Sequence, residues 1–175
     1  MISASTLNSE LINKIAQDFA QATSLAVVVV NIHGDEISEL FNFTPFCQLM
    51  RQHPQHSSRC RMSDRCGGLE ASKTDALCIY RCHAGLTDFS IPLVIAGHLV
   101  GFVLCGQVRL SNDIELVDIL NVDDRWQDDP ALVQAFRDVP EMDYSRVIAS
   151  ADLLKLIVEN CLKKQLNFVV IKDNP

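Results

Sequence analysis

The chain has 175 residues, enough for one domain with a buried core. Hydrophobic residues make up 48% and charged residues 21%, which excludes a disordered or membrane-embedded chain. The net charge of −7 argues against binding of DNA or of an anionic membrane by this segment itself. The apolar run at 25–30 is too short to span a membrane and no basic segment precedes it, which predicts a cytoplasmic protein.

Charge is distributed unevenly along the chain. Basic residues dominate between Arg51 and Arg81, and acidic residues dominate between Asp113 and Asp143. Two solvated surfaces of opposite sign would account for this pattern. The alternative is a contact between the two segments, within the chain or across a dimer.

Hydrophobic periodicity predicts the first elements. A helix is expected over 7–22, where apolar residues recur every four positions after Thr6 as the N-cap. Residues 25–32 predict a buried strand, and residues 36–41 predict a second strand at the edge of the sheet. Thr44-Pro45 predicts a short helix with Thr44 as its N-cap.

The middle of the chain alternates between helical and strand patterns. Further helices are expected at 59–73, 112–120 and 130–136, and further strands at 76–81, 91–95 and 99–103. Ala96-Gly97-His98 predicts the turn of a hairpin between the last two strands. Gly67-Gly68 lies inside an expected helix, where it indicates either a close packing contact or a break.

A long helix is expected at about 143–166, with Asp143 as its N-cap and without Gly or Pro. Its apolar residues follow a heptad at Val147, Ala151, Leu154, Val158 and Cys161. The apolar surface is wider than one seam, which predicts packing on the domain and a homodimer through helix 143–166. The element order predicts an α+β fold, an antiparallel sheet of about five or six strands with the N- and C-terminal helices on one face, as in PAS and GAF sensor domains.

Seven cysteines without a secretory signal argue against a disulfide framework. Cys47, Cys60 and Cys82 lie at predicted element ends, where thiolates could converge on zinc, an iron centre or haem. No Cys-x-x-Cys spacing supports a zinc knuckle, and burial as small apolar groups is the common alternative. A redox role would need an exposed thiol of low pKa.

Catalytic motifs such as Gly-x-Ser-x-Gly, His-Glu-x-x-His and a glycine-rich phosphate loop are absent, which predicts that the protein is not an enzyme. Cys82 and His83 are expected to point to opposite faces of a strand, so they cannot form a thiolate–imidazole pair. Polar side chains beside phenylalanines instead predict a small-molecule site. The alternative is that His83 is a hydrogen-bonded core residue and that the phenylalanines are simply core. The candidate ligand-binding residues are Phe46, Tyr80, His83, Asp88, Ser90 and Gln107.

Several strings of residues resemble the PocR sensory domain family over about residues 7–166. They are Phe43-Thr44-Pro45-Phe46-Cys47, Arg59-Cys60-x-x-x-Asp64, Tyr80-Arg81-Cys82-His83-Ala84-Gly85-Leu86-x-Asp88-Phe89 and Gly101-x-x-x-x-Gly106-Gln107. The resemblance implies a PAS/GAF-like sensor whose effector is 1,2-propanediol or a related short-chain alcohol. It also implies that residues 167–175 begin a linker to an AraC-type DNA-binding domain, absent from these 175 residues, which alone would contact DNA.

Two other functions compete with a sensor of small alcohols. The family's motif cysteines match Cys47, Cys60 and Cys82, and a metal- or haem-based redox sensor would use the same three residues. A dimerisation module without a ligand is the third possibility. In the sensor hypothesis, the ligand closes a pocket over the hairpin that ends near Gln107, with His83 and Gln107 facing the ligand and Cys82 facing the other two cysteines. Closure then changes the packing of helix 143–166.

Overall fold

The computed structural model of the chain describes residues 8–73 and 77–172, with side chains up to 161. Its helices are α1 (Ser9–Thr23), α2 (Pro45–Gln52), α3 (Ser57–Lys73), α4 (Pro130–Arg137) and α5 (Tyr144–Lys172). Its strands are β1 (Ala26–Asn31), β2 (Cys78–Arg81), β3 (Thr87–Ile95), β4 (His98–Leu110) and β5 (Glu141–Met142). A short 3-10 helix, Arg125–Asp128, precedes α4. Within these residues, every helix is too short or too polar to cross a membrane.

Four strands form an antiparallel sheet in the order β1-β4-β3-β2. The short strand β5 adds a parallel pair at the end of β4, which gives five strands in total. β3 and β4 form the predicted hairpin, and its turn residues Ala96 and Gly97 have φ of 48° and 78°. The predicted α+β class and the strand number are therefore confirmed.

Helices cover both faces of the sheet. α1 and α5 pack on one face, against alternate strand residues such as Val27, Ile91 and Val103. The opposite face, which includes Val28 and Phe102, is covered by α2 and α3. Successive strand residues point to opposite faces, so one sheet supplies two separate apolar layers. The two terminal helices lie on one face as predicted, and the fold is consistent with the PAS/GAF-like type.

Local capping explains where the helices begin. α1 begins at Ser9, after Asn8 whose Oδ1 accepts from the Leu11 N–H at 3.1 Å. The predicted cap Thr6 lies outside the described residues. α2 begins as predicted, because Thr44 Oγ1 accepts from the Cys47 N–H at 3.3 Å.

α3 continues unbroken through Gly67-Gly68. A Cβ atom on Gly67 would lie 2.3 Å from the ring of Tyr80, and one on Gly68 would lie 2.3 Å from the ring of Phe102. The two glycines therefore let the helix approach the sheet more closely than any other residue would allow. Of the two alternatives given by the sequence, close packing is the correct one.

The predicted helix at 112–120 was wrong. This segment runs along the edge of β2, where the Arg81 N–H donates to Val117 O at 2.9 Å. Asn112, expected to cap a helix of its own, accepts from the Tyr144 N–H at the start of α5 at 3.1 Å. Hydrogen bonds to distant strands thus override a weak local helix signal.

The predicted edge strand at 36–41 is reduced to two isolated bridges with β1. Glu36 pairs with Val30, and Phe41 pairs with Val27. Between them Ser38 Oγ accepts from the Val29 N–H at 2.8 Å, which replaces a regular backbone pair.

The basic and acidic segments contact each other within the chain. Arg81 pairs with Asp118, and Arg59 Nε lies 3.5 Å from the buried carboxylate of Asp123. Of the two alternatives for the uneven charge, a contact between the basic and the acidic segment within the chain is therefore present. Arg81 and Asp118 are both well exposed, so this pair contributes little to stability.

α5 presents two apolar stripes. The predicted heptad residues Val147, Ala151, Leu154 and Val158 are buried against the sheet of their own domain. A second stripe, made of Ile148, Leu153 and Leu156, faces solvent, and the last two are 51% and 59% exposed. The helix thus retains an apolar surface that the domain itself does not cover.

Candidate functional site

Two small cavities lie between the sheet and helices α2 and α3. The larger, of about 30 Å³, has walls from both helices, from the turn after β2, from β3 and from β4. The smaller, of about 20 Å³, lies against β1 and β4. Both cavities are lined by Arg51, Asp64, Asp88 and Gln107, so they flank one buried polar cluster. A buried water needs about 10–15 Å³ of such space, so each cavity has room for one or two waters.

The larger cavity brings together most of the predicted ligand-binding residues: Phe46, His83, Asp88 and Gln107 all line it. Tyr80 and Ser90 line neither cavity. Both are fully buried, and Ser90 Oγ donates to Tyr80 Oη at 3.3 Å. A ligand contact at these two residues stays a prediction.

Three predicted metal ligands, Cys47, Cys60 and Cys82, also line the larger cavity. Burial raises the pKa of the Cys60 thiol to about 12, and burial also raises the pKa of Cys47 and Cys82. All three are therefore thiols at neutral pH. Among the residues that the structure describes, no three His, Cys, Asp or Glu side chains are arranged to hold a metal ion. A metal centre at these cysteines stays a prediction.

His83 contacts a thiol, but not the one beside it in sequence. Its Nε2 atom lies 3.3 Å from Cys60 Sγ, and its buried Nδ1 atom has no partner among the described residues. Burial and the nearby Arg59 lower the pKa of His83 to about 4, so the imidazole is neutral at pH 7. A neutral imidazole beside a protonated thiol is a hydrogen-bonding pair and not an activated nucleophile.

The prediction that Cys82 and His83 face opposite sides was wrong. β2 ends at Arg81, and both residues lie in the turn that follows it. The alternation of a strand does not apply there, and the two side chains line the same cavity.

A β-bulge places Gln107 in the cavity wall. Strand pairing shifts between Thr87 and Asp88, which lie opposite Val108 and Gly106, so Gln107 has no partner residue on β3. Its φ of 62° is in the left-handed region, which costs a non-glycine residue about 1–2 kcal/mol. Asp88 Oδ1 accepts from the Gln107 N–H at 2.8 Å, which holds this conformation.

The side chain of Gln107 connects β4 to the start of α2. Its Oε1 atom accepts from the Thr44 N–H at 2.9 Å and from Thr44 Oγ1 at 3.1 Å. A backbone N–H can only donate, so this contact fixes which way the amide points. Within the described part of the chain the Nε2 atom has no hydrogen-bond partner, so it is available as a donor to a ligand.

Asp64, Asp88 and Arg51 complete the polar cluster around Gln107. Arg51 donates to Asp64 Oδ2 at 2.6 Å and to Glu36 Oε1 at 2.8 Å. Burial raises the pKa of Asp88 to about 7; the Gln107 N–H opposes this shift and Asp64 adds to it. Asp88 therefore exchanges a proton near neutral pH and can act as acceptor or donor towards a hydroxyl.

The titration of Asp88 predicts how stability changes with pH. Asp88 holds its proton up to about pH 7 in the folded chain but releases it near pH 4 when unfolded. Stability from this group is therefore lost as the pH rises from about 4 to 7. We expect the unfolding free energy of Asp88→Asn, relative to that of the wild type, to increase by about 2 kcal/mol between about pH 5 and pH 8.

Urea unfolding of both proteins across this pH range tests the prediction. His83 has the opposite slope below about pH 6.5, but both proteins retain it and its effect cancels in the difference. Asp113→Asn, which makes the same substitution at an exposed carboxyl, is the control variant. A constant difference between wild type and Asp88→Asn would contradict the raised pKa.

Sequence reasoning missed Arg51 and Asp64 as cavity residues. Asp64 lies on the buried face of α3 together with Ser63 and Gly67. A carboxyl residue four positions after Cys60 and three before a buried glycine shares one helix face with them. That spacing was the available signal for a buried acid. The sequence held no comparable signal for Arg51, which lies in the last turn of α2.

Comparisons with known proteins show which family the chain belongs to. The family profile described as "Sensory domain found in PocR" matches residues 5–166. The Regulatory protein PocR of Salmonella typhimurium (strain LT2) is 92% identical over 175 residues, which is all of this chain and 58% of that protein. The chain therefore spans less than two thirds of that relative's length. On these matches, the chain belongs to the PocR sensory domain family.

Proposed function

We propose that the chain is the sensory domain of a cytoplasmic transcriptional regulator and that 1,2-propanediol or a related short-chain alcohol is its effector. The observation that carries this proposal is the mixed wall of the larger cavity. Apolar residues such as Phe46 and Met50 surround two groups suited to hydroxyls, the free Nε2 donor of Gln107 and the carboxyl of Asp88. A few placed polar groups in an apolar cavity are the usual composition of a small-molecule site.

The effector must be small, because each cavity has room for only one or two waters and even a diol would occupy both cavities and widen the space between them. A diol has about five heavy atoms, and even a ceiling of about −1.5 kcal/mol per atom gives roughly −7.5 kcal/mol. That free energy corresponds to a dissociation constant of a few micromolar at best, and weaker binding is the expectation. Both hydroxyls need partners, since a buried unpaired hydroxyl costs about 1–3 kcal/mol.

The backbone of β4 and two hydrogen bonds to β5 connect the cavity to the start of α5. Two residues after Gln107, the Arg109 N–H donates to Pro140 O at 2.9 Å, and the Ser111 N–H donates to Met142 O at 3.0 Å. These bonds join the end of β4 to β5, which α5 follows directly. In this proposal β4 has two arrangements, and the ligand has a higher affinity for one of them. Binding then favours that arrangement and shifts the position of α5. α5 then relays the change to an AraC-type DNA-binding domain outside these residues.

Calorimetric titration with 1,2-propanediol, glycerol and propionate tests the effector class. We expect saturable heat with the diol, weaker heat with glycerol and none with propionate, because Arg51 in the cavity wall is already paired with Asp64 and a carboxylate would be buried there without a cation of its own. No heat with any of the three would exclude the diol as effector.

We also infer a homodimer through α5. Its exposed stripe, Ile148, Leu153 and Leu156, lies on the side of the helix away from the sheet. We expect sedimentation of the wild type to show a dimer and Leu156→Glu to shift it to the monomer, because a charge in an apolar seam is poorly solvated. Val117→Glu, at an exposed apolar residue outside α5, is the control. A monomeric wild type at high concentration would contradict the dimer.

The alternative function is a metal- or haem-based redox sensor. The convergence of Cys47, Cys60 and Cys82 on one cavity supports it. An absorption spectrum and a metal analysis of the purified protein discriminate between the two functions.

A further inference from the structure

A surface groove lies outside the interior cavities. Its volume is about 350 Å³, and its walls come from Glu36 and Leu40, from α2 and from the start of α3. This is large enough for a small molecule, but hydrated polar side chains, those of Glu36, Gln48, Gln52 and Arg61, stand in its walls beside Leu40. It therefore resembles an entrance more than a closed binding site.

One residue connects this groove to the interior. Arg51 lines the groove and both cavities, and no other described residue lines all three. Its side chain is 14% exposed, so the guanidinium lies in the wall that separates the groove from the cavities. Movement of this one side chain would join the two spaces.

Arg51 is held from both sides by ion pairs of unequal strength. On the inner side Asp64 is 9% exposed and lies 2.6 Å away, and on the outer side Glu36 is 38% exposed and lies 2.8 Å away. The ring of Phe43 packs 5.0 Å beneath the guanidinium. Exposed pairs contribute about 0.2–1 kcal/mol, whereas buried pairs are costly to break, so the contact with Glu36 is the one that opens readily.

We propose that the effector enters the interior cavities through this groove and that Arg51 is the gate, which Glu36 holds closed. The groups that face Arg51 are Glu36, Asp64 and Phe43, and each has a distinct position in this arrangement. The inference rests on the proposed function, since a gate requires a ligand that reaches the interior.

A gate has a kinetic signature that a ligand contact lacks. Glu36 lies outside the cavities, so its removal changes the barrier to passage and leaves the bound state unchanged. Association and dissociation rates should then rise by the same factor, and the dissociation constant should stay constant. Loss of a direct ligand contact would instead raise the dissociation constant, mainly through faster dissociation.

Stopped-flow fluorescence with 1,2-propanediol as the probe measures both rates in the intact chain. The single tryptophan, Trp126, packs 5.0 Å from the ring of Phe46, which lines the larger cavity, so it reports on ligand entry. We expect Glu36→Gln to raise both rates by about threefold with an unchanged dissociation constant. Glu39→Gln, at an exposed residue outside the groove, is the matched control and should leave both rates unchanged.

The dependence of both rates on ionic strength gives a second measurement of the contact between Arg51 and Glu36. Higher ionic strength weakens the exposed pair and should accelerate exchange in the wild type more than in Glu36→Gln. Calorimetry that shows binding, together with unchanged rates in Glu36→Gln, overturns the gate alone. Absence of both heat and fluorescence change in the wild type overturns the proposed effector and the gate together.

Discussion

Gly67→Ala is expected to destabilise the domain by about 2–3 kcal/mol, although alanine is the better helix former by about 1 kcal/mol. The added Cβ atom would lie 2.3 Å from the ring of Tyr80. That ring cannot move aside easily, because it is fully buried and its hydroxyl is hydrogen-bonded to Ser90. α3 would have to move away from the sheet, and the helix also forms one wall of the larger cavity.

Urea unfolding at one pH measures this loss, with Arg65→Ala as the control at an exposed position of the same helix. A double variant of Gly67→Ala with Tyr80→Leu should recover part of the loss, because the smaller side chain accepts the Cβ atom. If Gly67→Ala were as stable as the wild type, the close approach of α3 to Tyr80 would be incorrect.

Ala84→Val is expected to weaken the binding of 1,2-propanediol by about 100-fold or more while the fold is retained. Ala84 is buried and lines the larger cavity. The two added methyl groups take up space comparable to that of two waters, which is what this cavity of about 30 Å³ offers. Because the variant fills existing space, its unfolding free energy should change by less than about 1 kcal/mol.

The matched control is Ala131→Val, which makes the same substitution at an exposed position of α4. It should bind the diol as the wild type does. Calorimetry measures binding and urea unfolding measures stability for each variant. A stable Ala84→Val protein with wild-type affinity would place the ligand outside this cavity.

The fold followed from signals that are local in sequence. The cap at Thr44, the hairpin turn at Ala96-Gly97 and the heptad of the last helix each specify an element or its packing face without knowledge of the rest. The segment at 112–120 was mistaken for a helix because its structure depends on hydrogen bonds to Arg81 and Tyr144. No local pattern reports such distant partners.

The site was harder to predict, because it depends on where elements meet. Of the six candidate residues, Phe46, His83, Asp88 and Gln107 line one cavity, whereas Tyr80 and Ser90 do not. Arg51 belongs to the site because α2 packs on α3, where Arg51 pairs with Asp64. The bulge at Gln107 likewise depends on the register between β3 and β4, which the strand pattern alone does not specify.

The central claim is that a small alcohol binds inside the domain, between α2, α3 and the β3–β4 hairpin. Paired calorimetric titrations of 1,2-propanediol into the wild type and Ala84→Val test it most directly. We expect saturable heat with the wild type and none with the variant. Equal heats in both proteins, or no heat in either, would contradict it.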